Sequence, residues 1–286
     1  MYSTNNYRPA LRYAEAANEQ VAIDRISYAF RSVGKLSDVP LICLQHFTGT
    51  LDNWDPLVID DLAQNRQVIT IDNAGIGNSG GQTPDNVQDM AKTAVAIITA
   101  LGIRKCDLLG FSLGGFIAQT VAITDPGLFR KIILIGTAPQ GTLALHHFPE
   151  LTGRAFAKPS GEGYLYIFAT PSEKSRKKIK AAMARFAERK DGRDKDVSMP
   201  AIQAQTKALT RWGTDPITLN LGSISHPVLI IQGSNDEMMD SPSSLELFRQ
   251  IPNAILTYYP DSAHGSFMQY PEMFTAQAHS FLEKFI

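Results

Sequence analysis

Six short apolar runs recur along the chain, at residues 39–44, 67–71, 105–109, 131–135, 227–231 and 254–259, each closed by turn residues. Their side chains are nearly all apolar rather than alternating. A strand with one wet face alternates, whereas a strand covered on both faces does not. Helical patterns lie between the runs. Residues 83–101 open with Thr83-Pro84-Asp85, a cap with proline at the first helical position, and stop at Gly102. Within them Val87, Met90, Ala94, Ile97, Ile98 and Leu101 recur near a 3.6-residue period. Residues 113–124 are apolar on most faces and read as a buried helix, and 270–286 read as a closing helix. Strand and helix in alternation predict an α/β fold, a mostly parallel central sheet with helices on both faces. Residues 21–33 alternate better and read as an antiparallel hairpin at the sheet edge.

The rhythm breaks once. Residues 140–222 carry helical patterns and no convincing core strand, which predicts a helical lid inserted into a core of 21–139 and 223–286, behind an N-terminal extension of 1–20. The extension is expected to pack on the lid or on a neighbouring molecule. Within the lid, residues 172–196 hold ten Lys/Arg against five Asp/Glu, in a chain whose net charge is −1. Ile179, Met183 and Phe186 make a narrow apolar stripe on this basic helix. Two readings stay open: a solvated helix face, or a basic rim that attracts anions.

Near-neutral net charge removes the whole-protein basic field expected of a nucleic-acid binder. Hydrophobic residues at 44% against 19% charged exclude a disordered chain. Two cysteines, Cys43 and Cys106, cannot build a disulfide framework and read as buried thiols. No apolar run approaches the ~20 residues of a membrane span, and the first residues lack the basic and apolar regions of a signal peptide. A cytoplasmic protein without membrane or nucleic-acid partners is the expectation; oligomeric state is not legible.

The pattern G-x-S-x-G occurs at Gly110-Phe111-Ser112-Leu113-Gly114 and again at Gly77-Asn78-Ser79-Gly80-Gly81. Chance alone gives roughly 0.1 such matches in a chain of this composition, so the pattern by itself is weak. Context separates the two. A nucleophilic serine needs a strand before it and a helix after it, so that a tight turn exposes its hydroxyl. Ser112 has both, and Ser79 runs into a loop.

A serine needs a base, and the base needs an orienting partner. Of six histidines, His264 lies in the loop between the last strand and the last helix, and loops at the carboxyl ends of strands are where an open parallel sheet places its site. Asp236 lies just past the carboxyl end of the 227–231 strand and is the first choice of acid, ahead of Glu237, Asp240 and Asp261.

With Ser112, Asp236 and His264 in that order, the chain resembles the α/β-hydrolase family from about residue 23 to its end. Asp72-Asn73-Ala74-Gly75-Ile76-Gly77-Asn78-Ser79 looks like the family's D-x-x-G-x-G-x-S turn, which makes Ser79 structural. Trp54 falls where the family often has tryptophan. Gln45-His46-Phe47-Thr48-Gly49 stands in place of the family's H-G-x-x-G segment, with Gln45 at the histidine and His46 at the glycine in the register that keeps the Trp54 spacing. The resemblance then implies an oxyanion hole made by the backbone amides of Phe47 and Leu113. His46 has two open roles: it touches the substrate, or it replaces a structural hydrogen bond. Epoxide- and halide-displacing members use aspartate at the elbow, so Ser112 points to acyl transfer instead.

The resemblance implies hydrolysis of a carboxylic ester or lactone, acyl-homoserine and enol lactones included, with no cofactor or metal. Three rival chemistries share the site, namely C–C hydrolysis, thioester cleavage and cofactor-free perhydrolysis. A low-turnover ligand receptor is a rival of another class. His46, Phe111, Tyr164, Phe168, Met183, Phe186 and Trp212 are the expected substrate contacts, with Tyr166 also on the lid.

Overall fold

The computed structural model describes residues 12–159 and 161–284. Eight strands form one sheet in the order β1-β2-β4-β3-β5-β6-β7-β8. They are β1 (Glu19–Ile23), β2 (Ile26–Val33), β3 (Leu41–Leu44), β4 (Val68–Ile71), β5 (Cys106–Phe111), β6 (Phe129–Ile135), β7 (Val228–Gly233) and β8 (Ala254–Tyr259). β1–β2 and β2–β4 are antiparallel and every other pairing is parallel. The six apolar runs are the six parallel strands, and the alternating 21–33 stretch is the edge hairpin.

Alternate strand residues feed two cores, as the pleat requires. Ile42, Leu44, Leu108, Ile132, Leu134 and Ile230 pack under helices α2 and α3, whereas Leu41, Cys43, Leu109, Ile133, Ile135 and Ile231 pack under α1 and α10. Here α1 is Pro56–Leu62, α2 Val87–Ala100, α3 Leu113–Thr124 and α10 Pro271–Lys284. Helix α2 begins later than the Thr83-Pro84-Asp85 cap predicts. Its N-cap is Asn86, whose side chain accepts the Asp89 amide at 2.8 Å, while Thr83 Oγ1 donates to Ala74 O at 2.8 Å and belongs to the preceding turn.

Between β6 and β7 no described residue is in a strand. Four α-helices fill this segment: α4 (Phe148–Phe156), α5 (Glu162–Phe168), α6 (Glu173–Phe186) and α7 (Met199–Thr214). Helices α8 (Ser241–Gln250) and α9 (Ser266–Gln269) lie on the loops after β7 and β8.

Six of the ten Lys/Arg in the basic stretch of the inserted segment are exposed, and part of the remaining charge is turned inward. Arg185 forks onto the buried carboxylate of Asp55 at 2.7 and 2.5 Å. Arg189 donates to the carbonyls of Ala14 and Ala16 at 3.1 and 2.7 Å, and Arg12 pairs with Glu188 at 2.6 Å. Asp194 accepts from Asn78 and lies 3.7 Å from buried Arg31, which also bonds Asp52 at 2.6 Å. The charge therefore fastens the segment to the sheet and to residues 12–18. The early part of the expected extension, before Arg12, lies outside the described residues, and β1 already begins at Glu19.

Both cysteines are buried, and burial pushes the Cys106 thiol up to about 12. Among the described residues no helix is long and apolar enough to cross a membrane.

Candidate active site

Ser112 is the single residue between β5 and α3. Its φ is 55° and its ψ −115°, a conformation that an L-residue adopts only under constraint. Two features impose it. The Ser112 amide is fixed to Ile135 O at 2.9 Å on the neighbouring strand. Helix α3 also crosses β3 so closely that a Cβ on Gly114 would strike the Leu44 carbonyl. Ser79 behaves differently: its hydroxyl donates to Asp72 O at 2.9 Å and accepts the Ala29 amide at 2.8 Å, tying a turn to the edge hairpin.

His264 and Asp236 come from the loops after β8 and β7. Asp236 Oδ2 accepts from His264 Nδ1 at 2.8 Å, and its Oδ1 accepts the amides of Met238 and Met239 at 2.9 and 3.0 Å. A carboxylate can only accept, so the imidazole proton sits on Nδ1 and Nε2 keeps its lone pair. Gly136, just past β6, lies against this imidazole: a Cβ there would stand 3.2 Å from His264 Cε1. The His264 loop is also held by the end of α5, through Gly265 N to Phe168 O at 3.1 Å.

Several of the other acids and histidines are engaged elsewhere, and Glu237 is exposed. Asp261 accepts Thr170 and Ser172 hydroxyls at 2.6 and 2.7 Å, which hold its carboxyl below the usual range. Asp240 caps α8. His279 bonds Asp61 at 2.9 Å, and His226 bonds Pro126 O at 2.9 Å.

Ser112 and His264 line one cavity of about 220 Å³, together with His46, Phe47, Thr48, Tyr164 and Phe168. Its wall also includes Phe148, Phe156, Ile167 and Met238, and among the described residues it contains no Lys, Arg, Asp or Glu. Ile167 and Met238 also line a second cavity of about 450 Å³, together with Tyr166, Thr170, Arg176, Glu237 and Asp261 among others.

The segment 45–49 takes an unusual path. Gln45 donates from Nε2 to Thr50 O at 3.3 Å and accepts the His46 amide at 2.9 Å. The His46 ring meets Phe47 O at 2.7 Å through Nδ1, and its rim packs edge-on against Phe111 and Phe168 at 5.2 and 5.4 Å. Burial pushes the His46 imidazole down to about 3, and nearby His264 adds to this. His46 is therefore neutral, and its Nε2 has no partner among the described residues. The amides of Phe47 and Leu113 likewise donate to no acceptor among the described residues.

Four expected substrate contacts lie outside the cavity lining. Trp212 stacks on Phe116 of α3 at 4.8 Å and donates to Ala138 O at 3.3 Å, so it is core between α7 and α3. Phe186 sits behind Tyr164, edge-on at 5.9 Å, and Met183 packs in the same core. Phe111 lies beneath, its ring 5.1 Å from that of His264. Helical spacing says which face of a lid helix is apolar, but not which neighbour covers it. Gln205 was not foreseen. This buried α7 residue accepts the Thr48 amide at 2.7 Å, and glutamine inside a helix carries no signal of such a role.

A sequence profile described as the alpha/beta hydrolase fold matches residues 39–271. Among solved structures, an alpha/beta hydrolase fold protein from Chitinophaga pinensis is 52% identical, with a TM-score of 0.94 over 96% of this chain and 99% of that one. A structure described as Est816, an N-acyl homoserine lactone degrading enzyme, is 21% identical with a TM-score of 0.74, over 92% of this chain and 100% of that one, a likeness of fold. Among curated relatives, an sn-1-specific diacylglycerol lipase from Danio rerio is 26% identical over 273 residues, covering 87% of this chain and 80% of that one.

Proposed function

The chain belongs to the alpha/beta hydrolase fold family, and from that premise we propose that it is a serine hydrolase of small, uncharged carboxylic esters or lactones. One observation carries the reading: Ser112, on a strained strand-to-helix turn, shares an apolar cavity with a histidine whose Nδ1 is held by a buried carboxylate.

Ser112 Oγ attacks the carbonyl carbon while His264 Nε2 takes its proton. The tetrahedral oxyanion is received by the Phe47 and Leu113 amides, which have no competing acceptor among the described residues. Leu113 is the first residue of α3, so the positive end of that helix faces the new charge. As the intermediate collapses, His264 returns the proton to the departing alkoxide and an acyl-serine remains. His264 then activates water, which releases the acid and restores the serine. Asp236 holds the imidazole in the tautomer that this needs and stabilises its cation.

Helices α4 to α7 serve as a cap whose α4 and α5 faces close the acyl pocket. A wall without charged side chains suits a neutral acyl chain and offers no counter-charge to a substrate bearing a free carboxylate. A volume of about 220 Å³ is below the usual range of roughly 300–1,000 Å³, which favours a short acyl group or small ring.

The test is acid release from a panel of neutral esters and lactones, with fluorophosphonate labelling alongside. Turnover and stoichiometric labelling, both lost in Ser112→Ala, are expected. A folded protein that neither turns over any member nor takes up label would sink the reading and favour a ligand receptor.

A further inference from the structure

The geometry assigns a positioning role to Gln205: from helix α7 it holds the strained turn that aims the Phe47 amide. This rests on the hydrolase reading above.

Thr48 has a φ of 59°, in the left-handed region. That region favours glycine, and a β-branched residue there is an outlier that persists only when its surroundings hold it. The peptide unit joining Phe47 to Thr48 is gripped at both ends. Its carbonyl accepts from His46 Nδ1 at 2.7 Å, and its N–H donates to Gln205 Oε1 at 2.7 Å. The first grip comes from the turn itself, whereas the second crosses 157 residues of sequence from the inserted segment.

Gln205 sits where an apolar residue would be expected. It is fully buried, and its Nε2 finds no partner among the described residues. Burying an amide with half its hydrogen-bonding capacity unmet is unfavourable. Among the described residues its side chain makes one hydrogen bond, the one to Thr48. The Phe47 ring adds a second contact to the insertion, edge-on to Phe148 of α4 at 5.1 Å. The donor that would face the oxyanion is thus set by α4 and α7, not by the sheet alone. When α7 is seated the turn is locked, and when α7 lifts Thr48 is free to leave its strained conformation and turn the Phe47 amide away. The insertion therefore assembles part of the site as well as roofing it.

Gln205→Leu and Gln205→Glu test this in the full-length protein, since glutamate keeps an acceptor oxygen and leucine does not. Hydrogen exchange at the Thr48 amide should quicken about tenfold or more in Gln205→Leu and stay slow in Gln205→Glu. With the best neutral ester, kcat should fall about 100-fold in Gln205→Leu with KM within about threefold, and recover most of its value in Gln205→Glu. Inhibition by a trifluoromethyl ketone, whose serine adduct carries an oxyanion, should weaken in parallel with kcat. Unchanged exchange at Thr48 overturns the clamp. Faster exchange with kcat and ketone affinity intact overturns the positioning role, as does a change confined to KM or to melting temperature. A wild-type protein that is inert to esters and to fluorophosphonate removes the hydrolase reading and this role with it, while the exchange data still report whether the clamp exists.

Discussion

Asp236 and His264 are joined at 2.8 Å through Nδ1, and the second oxygen of the same carboxylate is filled by the Met238 and Met239 amides. The loop after β7 thereby holds the acid independently of its bond to the histidine. The bond selects the tautomer, so asparagine in its place should damage catalysis while leaving the fold in place. Asp236→Asn is expected to lower kcat by on the order of 10⁴, with a melting temperature close to that of the parent. Steady-state kinetics beside thermal melts check this, and a variant keeping a tenth of the parent kcat would remove Asp236 from the mechanism.

The strain at Ser112 predicts an exchange of activity for stability. Alanine keeps the Cβ that makes a φ of 55° unfavourable, whereas glycine does not. Ser112→Gly and Ser112→Ala should both be inactive, but the glycine variant should be more stable by about 1–2 kcal/mol. Denaturant midpoints decide it. Equal stability would mean that the turn holds no strain.

His46 should make stability fall with acid. Its folded pKa of about 3 lies below its ordinary 6.5, so the unfolded chain takes up the proton first as pH drops. The contribution of neutral His46 is complete above pH 6.5 and is lost as pH falls from there towards the folded value. The slope approaches about 1.4 kcal/mol per pH unit, or about 1.5 kcal/mol between pH 6.5 and 5. His46→Asn, whose amide can donate to Phe47 O and carries no titrating group, should flatten the curve by that amount. Identical pH profiles for the two proteins would show that His46 is not held neutral.

The two aromatic residues Phe168 and Trp212 should separate selectivity from stability. Phe168 lines the cavity, and Phe168→Ala is expected to shift the preferred acyl chain to greater length. Trp212 lies against Phe116, away from the lining, and Trp212→Ala should lose about 3–5 kcal/mol with the order of preferred substrates unchanged. Competition between esters of graded chain length reads the first effect and denaturant unfolding the second. A chain-length shift in Trp212→Ala would return that residue to the pocket.

Much of this site was legible because its signals are local. Ser112 follows its strand directly, Asp236 and His264 lie in the loops just after theirs, and a parallel sheet gathers the carboxyl ends of its strands at one edge. Two glycines beside Ser112 also mark a tight crossing. The hairpin at 21–33 was readable for the same reason, since alternation is a property of neighbours in sequence. Long-range choices were not readable. Trp212 and Phe168 are both aromatic residues on inserted helices, and only the packing of α7 against α3 sends one to the core and the other to the cavity. The start of α2 was misplaced because Thr83 and Asn86 are both good caps, and the turn at Ala74 claims the first. Nor does a count of lysines and arginines tell which of them face inward.

The inserted helices are pinned at two separated places. Arg185, Arg189 and Asp194 fasten one side to the sheet and the first described residues, and Thr170 and Ser172 fasten the other to Asp261. Tyr164, Ile167 and Phe168 on α5 make neither of these moorings through their side chains and line the cavity. Lineages descending from such a chain could revise that stretch again and again, trading one ester for another, without loosening the anchors or disturbing the serine below: the arrangement separates the part that chooses from the part that endures.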